Sequence, residues 1–159
     1  MSTHPETRIG HVHLKVSDLD RSIAFYRDVM GLDVQQRFGA QAAFLGAGGY
    51  HHHIGLHTWE SAGGPRPPRH ATGLYHTAFL YPDRSALAVA LKRALDHGVT
   101  IEGAADHGVS EAVYFSDPDG NGIEIYRDRA PEDWPRDADG ALTMSNAHLD
   151  LNALLAEAS

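Results

Sequence analysis

Two histidines and one glutamate stand at matching places in three short strand-like segments of the chain. His11 opens the segment HVHLKV, His76 lies in YHTAFLY, and Glu124 is the central residue of GIEIY. Two imidazoles and one carboxylate on separate strands can bind one face of a divalent metal ion and leave the opposite face open. That ligand set is typical of non-haem Fe(II) sites for oxygen chemistry. The three residues therefore predict a metal centre.

Each of the three residues also has a simpler interpretation. His11 and His76 could be histidines on strand surfaces, and Glu124 could pair with an Arg or a Lys. Glu124 is the most informative, because Ile123 and Ile125 flank it and a lone buried carboxylate is costly. A bound metal ion would compensate that charge.

The composition narrows the class of protein. With 159 residues, 42% of them hydrophobic, the chain is about one domain long and can bury a core. The net charge of −8 and the scattered Lys and Arg argue against nucleic acid as a partner. No apolar run approaches the roughly 20 residues of a membrane helix, and the N-terminus lacks the pattern of a signal peptide. The absence of cysteine excludes disulfides and thiolate sites. A cytoplasmic location is expected.

The chain repeats one order of elements, a strand followed by a helix and three more strands. Ser17 is expected to cap the first helix, and Pro82-Asp83 leads into the second. Gly31 and Gly98 would end these helices. Alternating residues predict strands near 9–16, 32–38, 41–47, 51–59, 74–81, 99–102, 110–116 and 122–127.

The repeat makes His11 and His76 equivalent, since Gly31 follows His11 by 20 residues and Gly98 follows His76 by 22. By the same count Gly55 is the counterpart of Glu124. The expected organisation is a single domain over 8–128, made of module one (8–60), a Pro-rich linker (61–72) and module two (73–128). A C-terminal strap and short helix occupy 129–159.

This duplication resembles the vicinal oxygen chelate superfamily of glyoxalases, extradiol dioxygenases and antibiotic resistance proteins. The resemblance covers residues 8–128 and is carried by HVHLKVSDLDRSIAFYRDVMGL and by DPDGNGIEIY. The second half, with GLYH and VSEAVY, is most similar to catechol 2,3-dioxygenases. The resemblance implies an α+β fold in which two paired βαβββ modules form a curled mixed sheet around a central metal-binding cleft, with the helices outside.

The resemblance also implies roles for individual residues. His11, His76 and Glu124 would be the metal ligands, with Fe(II) expected and Mn(II), Ni(II) or Zn(II) as alternatives. In glyoxalase I, which resembles this pattern, the position equivalent to Gly55 carries a second glutamate that also binds the metal. The absence of that glutamate here favours the dioxygenases, in which three ligands suffice.

Four further residues complete the predicted site. The segment HHIGL at 52–56 resembles the strand of extradiol enzymes that carries a non-ligand acid–base histidine. The resemblance therefore implies this role for His53, because alternation places it with His51 and His57 on the face of Gly55 and places His52 on the other face. Tyr114 lies ten residues before Glu124, the spacing at which the extradiol enzymes carry a tyrosine, so the resemblance implies that Tyr114 orients a substrate hydroxyl. His57 and His107 are candidate substrate contacts. Alternatives are a Tyr114 that only packs in the sheet, an adventitious metal patch at His51–His53, and His13 as a ligand in place of His11.

The predicted function is cleavage of a small catecholic substrate with O₂ by a metal-dependent, extradiol-type dioxygenase. One alternative is another metalloenzyme of the superfamily, such as a glyoxalase-like lyase or isomerase. Another is a protein that sequesters a small aromatic molecule or antibiotic. A homodimer is expected, and the modules could pair within one chain or between two chains. The C-terminal leucines of LDLNALLAEA are expected to pack on the body or on a second subunit.

Overall fold

Each half of the chain folds around its own four-stranded mixed sheet. The computed structural model describes residues 2–158 and divides the chain into two units, Met1–Arg66 and Pro67–Ser159. The boundary falls inside the predicted linker. In both sheets the first and last strands of the unit are parallel neighbours, and the other pairs are antiparallel. The predicted α+β class and the repeated order of one strand, one helix and three strands are confirmed, and each repeat forms a four-stranded mixed sheet of its own.

Unit 1 contains β1 (Val12–Lys15), α1 (Leu19–Ala24), β2 (Asp33–Phe38), β3 (Ala42–Gly46) and β4 (Ile54–His57). Its strand order is β1-β4-β3-β2. α1 continues into a π-helical turn, Phe25–Val29, and the chain then reverses at Gly31, whose φ of 75° suits glycine. In β1 and at the residues next to its two ends, Leu14 and Val16 are buried while His11 and His13 are exposed, as the alternation predicts.

Two predictions for unit 1 are wrong. The cap of α1 is Asp18, not Ser17, because the Asp18 carboxylate accepts a hydrogen bond from the backbone N–H of Arg21. The strand expected over 51–59 is also shorter, since β4 begins only at Ile54. Residues 51–53 form a bend before the strand, so strand alternation does not govern the histidines there.

Unit 2 contains β5 (His76–Tyr81), α2 (Arg84–Asp96), β6 (Gly103–Asp106), β7 (Ser110–Ser116), β8 (Gly122–Asp128) and α3 (Leu151–Leu155). Its strand order is β5-β8-β7-β6. The strand expected at 99–102 lies instead at Gly103–Asp106, because the chain continues irregularly after Gly98 before it pairs with β7. α2 is capped by Asp83, whose carboxylate accepts the N–H of Ala86.

The core of unit 2 lies between its sheet and α2. Leu87 and Leu91 of α2 are fully buried, as are Val113 and Phe115 of β7. These two strand residues alternate with Tyr114, which faces the opposite side of the sheet. The sheet therefore has one face covered by the helix and one face that carries polar side chains.

The C-terminal segment folds onto unit 2. Leu154 of α3 is fully buried and α3 packs against α2, which confirms that these leucines pack on the body. Before α3, the chain runs through a 3₁₀ turn, Pro131–Asp133, and then pairs with the end of β6 through Asp106 and Ala147. No helix within residues 2–158 is long and apolar enough to cross a bilayer.

Candidate active site

A histidine and a glutamate meet on the polar face of the unit 2 sheet. His76 lies at the start of β5, and Glu124 lies in the parallel neighbour β8, where it pairs with Ala78. Nε2 of His76 lies 2.7 Å from Oε2 of Glu124. The Glu124 side chain is only 13% exposed, while its neighbours Ile123 and Ile125 are buried on the helix side. The carboxylate is thus held in a partly desolvated position with one imidazole as its partner.

A glycine makes this approach possible. Gly122 pairs with His76 in the register of β5 and β8. A Cβ at residue 122 would lie 2.1 Å from the carbonyl oxygen of Tyr75 and 3.0 Å from Cβ of His76. No side chain fits there without moving the backbone of β5. Sequence reasoning missed this role, although a glycine inside a strand pattern is a known sign of close backbone approach.

Tyr114 lies beside the pair on β7. It faces Glu124 directly in the strand register, and its hydroxyl lies 3.4 Å from Oε1 of that carboxylate. Its ring centroid is 5.8 Å from that of His76. Burial raises the pKa of Tyr114 to about 12, and the charge of Glu124 adds to the shift. The phenol therefore keeps its proton at neutral pH.

His107 continues the same group from the turn between β6 and β7. Its Nε2 lies 2.8 Å from the Tyr114 hydroxyl, and its Nδ1 lies 2.8 Å from the backbone carbonyl oxygen of Ser145. Four of the predicted site residues, His76, His107, Tyr114 and Glu124, are thus brought together within unit 2. Ser145 is a contact that sequence reasoning missed.

The remaining predicted residues lie in unit 1, with His11 and His57 on the exposed face of its sheet and His53 in the bend before β4. The rings of His11 and His52 are 4.3 Å apart, and those of His13 and His57 are 4.8 Å apart. His57 also stacks on Trp59 at 4.3 Å. Burial, followed by the charges of His57 and His11, lowers the pKa of His13, so this imidazole favours its neutral form.

The bend before β4 places its histidines differently from the prediction. The expectation that His52 lies on the other face is wrong, because its ring contacts both His11 and Phe44. His53 instead lies against the ring of Tyr50 at 4.7 Å, and its Nδ1 accepts the backbone N–H of Ala47 at 3.2 Å. The structure therefore brings His52, and not His53, into contact with His11.

The space beside Gly55 is filled by an imidazole. Gly55 pairs with His13 across β1 and β4 just as Glu124 pairs with Ala78 across β5 and β8. Since His13 follows His11 by two residues and Ala78 follows His76 by two, the register supports the predicted equivalence of Gly55 and Glu124. A Cβ at residue 55 would lie 2.9 Å from Cγ of His13. Unit 1 therefore has a histidine ring where unit 2 has a carboxylate.

The donor atoms of unit 2 fit part of a metal site. An imidazole nitrogen and a carboxylate oxygen 2.7 Å apart form a pair suited to iron, manganese, nickel or zinc. Across residues 2–158 no group of three or more His, Asp or Glu side chains is arranged to hold an ion. His76 and Glu124 lie in unit 2 and His11 lies in unit 1, so the complete trio stays a prediction.

Comparison with known proteins identifies the family. Residues 8–125 match the family model described as Glyoxalase/Bleomycin resistance protein/Dioxygenase superfamily. The chain belongs to this superfamily. A lactoylglutathione lyase from Agrobacterium tumefaciens of known structure is 28% identical, with a TM-score of 0.61, and the match covers 78% of this chain and 96% of that one.

Two dioxygenases are among the similar sequences. A protein named catechol-2,3-dioxygenase from Bacillus subtilis is 45% identical over 157 residues, which are 99% of this chain and 54% of that protein. Biphenyl-2,3-diol 1,2-dioxygenase 3 from Rhodococcus globerulus is 31% identical over 76% of this chain and 63% of its own length. The chain thus spans between about half and two thirds of the length of these relatives.

Proposed function

We propose that the chain is a metal-dependent, extradiol-type dioxygenase that cleaves a small catecholic molecule with O₂. The observation that carries the proposal is the His76–Glu124 pair at 2.7 Å with the Tyr114 hydroxyl beside it. The similarity to the Bacillus subtilis protein named catechol-2,3-dioxygenase, at 45% identity over nearly the whole chain, supports the same reaction class.

In this proposal His76 and Glu124 hold the metal together with His11 of unit 1. A bound Fe(II) would polarise the two oxygens of a catechol and supply electrons to O₂; Mn(II), Ni(II) and Zn(II) are the alternatives for this donor set. Glu124 is suited to the role because its carboxylate is partly buried and has no Arg or Lys partner among the described residues. The alternative of a simple ion pair with a basic side chain therefore loses its support.

Tyr114 would orient the substrate. Because its pKa is raised to about 12, the phenol stays protonated and can hold a substrate hydroxyl by a hydrogen bond without becoming a base. We propose His57 and His107 as further contacts of the substrate. His107 lies against the Tyr114 hydroxyl, and His57 belongs to the aromatic face formed with His13 and Trp59.

His53 is proposed as the residue that accepts a proton from the substrate and returns one later. Its Nδ1 accepts the N–H of Ala47, so the neutral ring carries its hydrogen on Nε2. To act as a base, His53 has to release the Ala47 N–H and take the new proton on Nδ1. His52, whose ring lies 4.3 Å from His11, is the alternative for this step.

A glyoxalase-like lyase or isomerase is the second candidate, and the structural similarity to the lactoylglutathione lyase favours it. The resemblance to glyoxalase I implies that such an enzyme needs a second carboxylate at the position of Gly55. Here the His13 ring occupies that space, 2.9 Å from where a Cβ would lie. The missing carboxylate and the occupied space both favour the dioxygenase.

Two further expectations belong with the proposal. We propose that residues 8–128 act as one domain, with 129–159 as an appended segment, and that the protein forms a homodimer. Analytical ultracentrifugation of the purified chain measures the second point directly, since a monomer and a dimer of a 17.3 kDa chain sediment at clearly different rates.

Oxygen uptake tests the proposed reaction. The protein is purified and loaded with Fe(II) without air, and then mixed with air-saturated buffer and a panel of catechols. We expect uptake with at least one catechol and formation of a yellow ring-opened product. The same catechol with one hydroxyl methylated is the control, because it cannot chelate through both oxygens. If neither compound causes oxygen uptake and the protein turns over a hemithioacetal, the lyase is favoured.

A further inference from the structure

The C-terminal segment over residues 130–147, called the strap below, pairs through Ser145 and Ala147 with the edge of the unit 2 sheet at β6. The backbone N–H groups of Asp106 and Ala147 donate to each other's carbonyl oxygens, both at 2.9 Å. One step further along, the N–H of Ser145 donates to the carbonyl oxygen of His107 at 3.0 Å. The strap thus extends the pairing of β6 up to the residue that contacts Tyr114.

An ion pair fixes the turn in which His107 lies. The guanidinium of Arg129 binds both carboxylate oxygens of Asp106, at 2.6 and 2.8 Å, and the carbonyl oxygen of Gly108 at 3.2 Å. The Asp106 carboxylate also accepts the N–H of Gly108 at 2.8 Å. Backbone on both sides of His107 is therefore held in place.

The ring of His107 has a defined hydrogen-bond partner at each nitrogen. The carbonyl oxygen of Ser145 can only accept, so Nδ1, 2.8 Å away, has to carry a hydrogen. In the neutral imidazole Nε2 then has a lone pair, and the hydroxyl of Tyr114, 2.8 Å away, is its donor. The partner on the strap thus decides which tautomer His107 adopts.

The tautomer in turn directs the single hydroxyl hydrogen of Tyr114. Two acceptors compete for it, Nε2 of His107 at 2.8 Å and Oε1 of Glu124 at 3.4 Å. The shorter contact takes the hydrogen, because hydrogen bonds between an oxygen donor and its acceptor weaken beyond about 3.0 Å. The lone pairs of the phenolic oxygen then remain for a bound ligand.

We propose that the strap is a working part of the site, because the backbone carbonyl of Ser145 sets the Nδ1–H tautomer of His107 and so makes Tyr114 an acceptor for substrate. The strap and the two ring nitrogens of His107 position the Tyr114 hydroxyl in this arrangement. Because both nitrogens are occupied, the proposed contact of His107 with the substrate is made by the carbon atoms of its ring. The preferred ligand then has a hydroxyl that can donate to Tyr114. This preference for a donating hydroxyl rests on the proposed function, whereas the tautomer of His107 is independent of it.

Nitrogen NMR of the histidine rings tests the proposal without any enzyme assay. Protein with ¹⁵N-labelled histidine is loaded with Zn(II), which is diamagnetic, and the ring signals of His107 are assigned by their loss in His107→Asn. We expect a protonated Nδ1 and an unprotonated Nε2 for His107 at neutral pH. A protonated Nε2 in the unsubstituted protein would overturn the proposal.

Two variants at one position then test whether the strap is the cause. Ser145→Pro removes the N–H that pairs the strap with His107, whereas Ser145→Ala removes only the hydroxyl and keeps the backbone pairing. We expect the His107 signals to move toward the other tautomer in Ser145→Pro and to stay unchanged in Ser145→Ala, with circular dichroism showing that both are folded. Hydrogen exchange of the Ala147 N–H, which pairs with Asp106, shows whether the strap has left the sheet in Ser145→Pro. Unchanged His107 signals in a folded Ser145→Pro whose strap has left the sheet would show that the strap does not set the tautomer. If Ser145→Pro does not fold, the unsubstituted protein still decides. A protein that shows the expected tautomer but takes up no oxygen would refute the dioxygenase proposal alone.

Discussion

Replacing Gly122 by alanine should displace His76 from Glu124 and so disrupt the candidate metal site. The added Cβ would lie 2.1 Å from the carbonyl oxygen of Tyr75, while real Cβ atoms keep at least 3.0 Å from such atoms. The backbone before His76 therefore has to move by about 1 Å, since a carbonyl cannot rotate away as a flexible side chain can. A displacement of this size separates Nε2 of His76 from Oε2 of Glu124, now 2.7 Å apart.

The expected magnitudes follow from this displacement. Overpacking in a tight site costs about 1–3 kcal/mol, which corresponds to a fall in Tm of roughly 2–12 °C for a chain of this size. A misplacement of about 1 Å at reacting groups can cost on the order of 10²-fold in rate. Differential scanning calorimetry, metal titration and oxygen uptake measure the three effects.

The matched control is Gly103→Ala in β6 of the same sheet. Its added Cβ would meet only the ring of Tyr114 at 3.8 Å, an ordinary contact. We expect Gly103→Ala to keep Tm, metal affinity and rate close to those of the unsubstituted protein. If Gly122→Ala behaves like Gly103→Ala in all three assays, the close approach of β5 and β8 does not support the site.

Three other changes test separate parts of the account. Gly55→Glu should destabilise the protein and add no metal ligand, because His13 fills the space. Gly55→Glu combined with His13→Ala should bind the metal more tightly than Gly55→Glu alone in an equilibrium titration. Equal metal affinity of these two variants would contradict this prediction. His53→Phe should keep its metal and lose about 10²–10⁴-fold in oxygen uptake, and a larger loss in His52→Phe would transfer the role to that residue. The Arg129 guanidinium lowers the pKa of the Asp106 carboxyl from 3.8 to about 2. The ion pair of these two residues therefore stabilises the fold above about pH 4, and this stabilisation is lost as the pH falls toward 2. In Asp106→Asn the free energy of unfolding measured with urea should therefore depend less on pH between about pH 4 and pH 2. The same pH dependence as in the unsubstituted protein would refute the lowered pKa of Asp106.

The faces of the strands could be predicted from sequence because alternation leaves one set of residues buried. In unit 2 alternation separates Tyr114 and Glu124 from their buried neighbours Phe115 and Ile123, and the two polar residues lie opposite each other in the sheet. Alternation failed for His52, because the bend before β4 removes the two-residue periodicity on which the prediction depends. A short segment next to a glycine-rich turn gives little warning of such a change.

Contacts made by backbone atoms could not be predicted from residue types. Ser145 reaches His107 through its carbonyl oxygen across 38 residues of sequence, and any residue at position 145 would offer the same atom. The cap of α1 shows a related limit, since Ser17 and Asp18 are both good capping residues and only the backbone geometry selects Asp18. The role of Gly122 had a sequence signal, a glycine inside a strand pattern, but the contact that requires it is visible only in three dimensions.

The content of metal in one pair of variants tests the central claim most directly. Glu124 is the proposed ligand, and Glu102, an exposed glutamate of the same unit, is the control for loss of one carboxylate. After anaerobic purification and elemental analysis, we expect about one divalent ion per chain in the unsubstituted protein and in Glu102→Ala, and almost none in Glu124→Ala. An unchanged metal content in Glu124→Ala would contradict the account and would assign the ion to the histidines of unit 1.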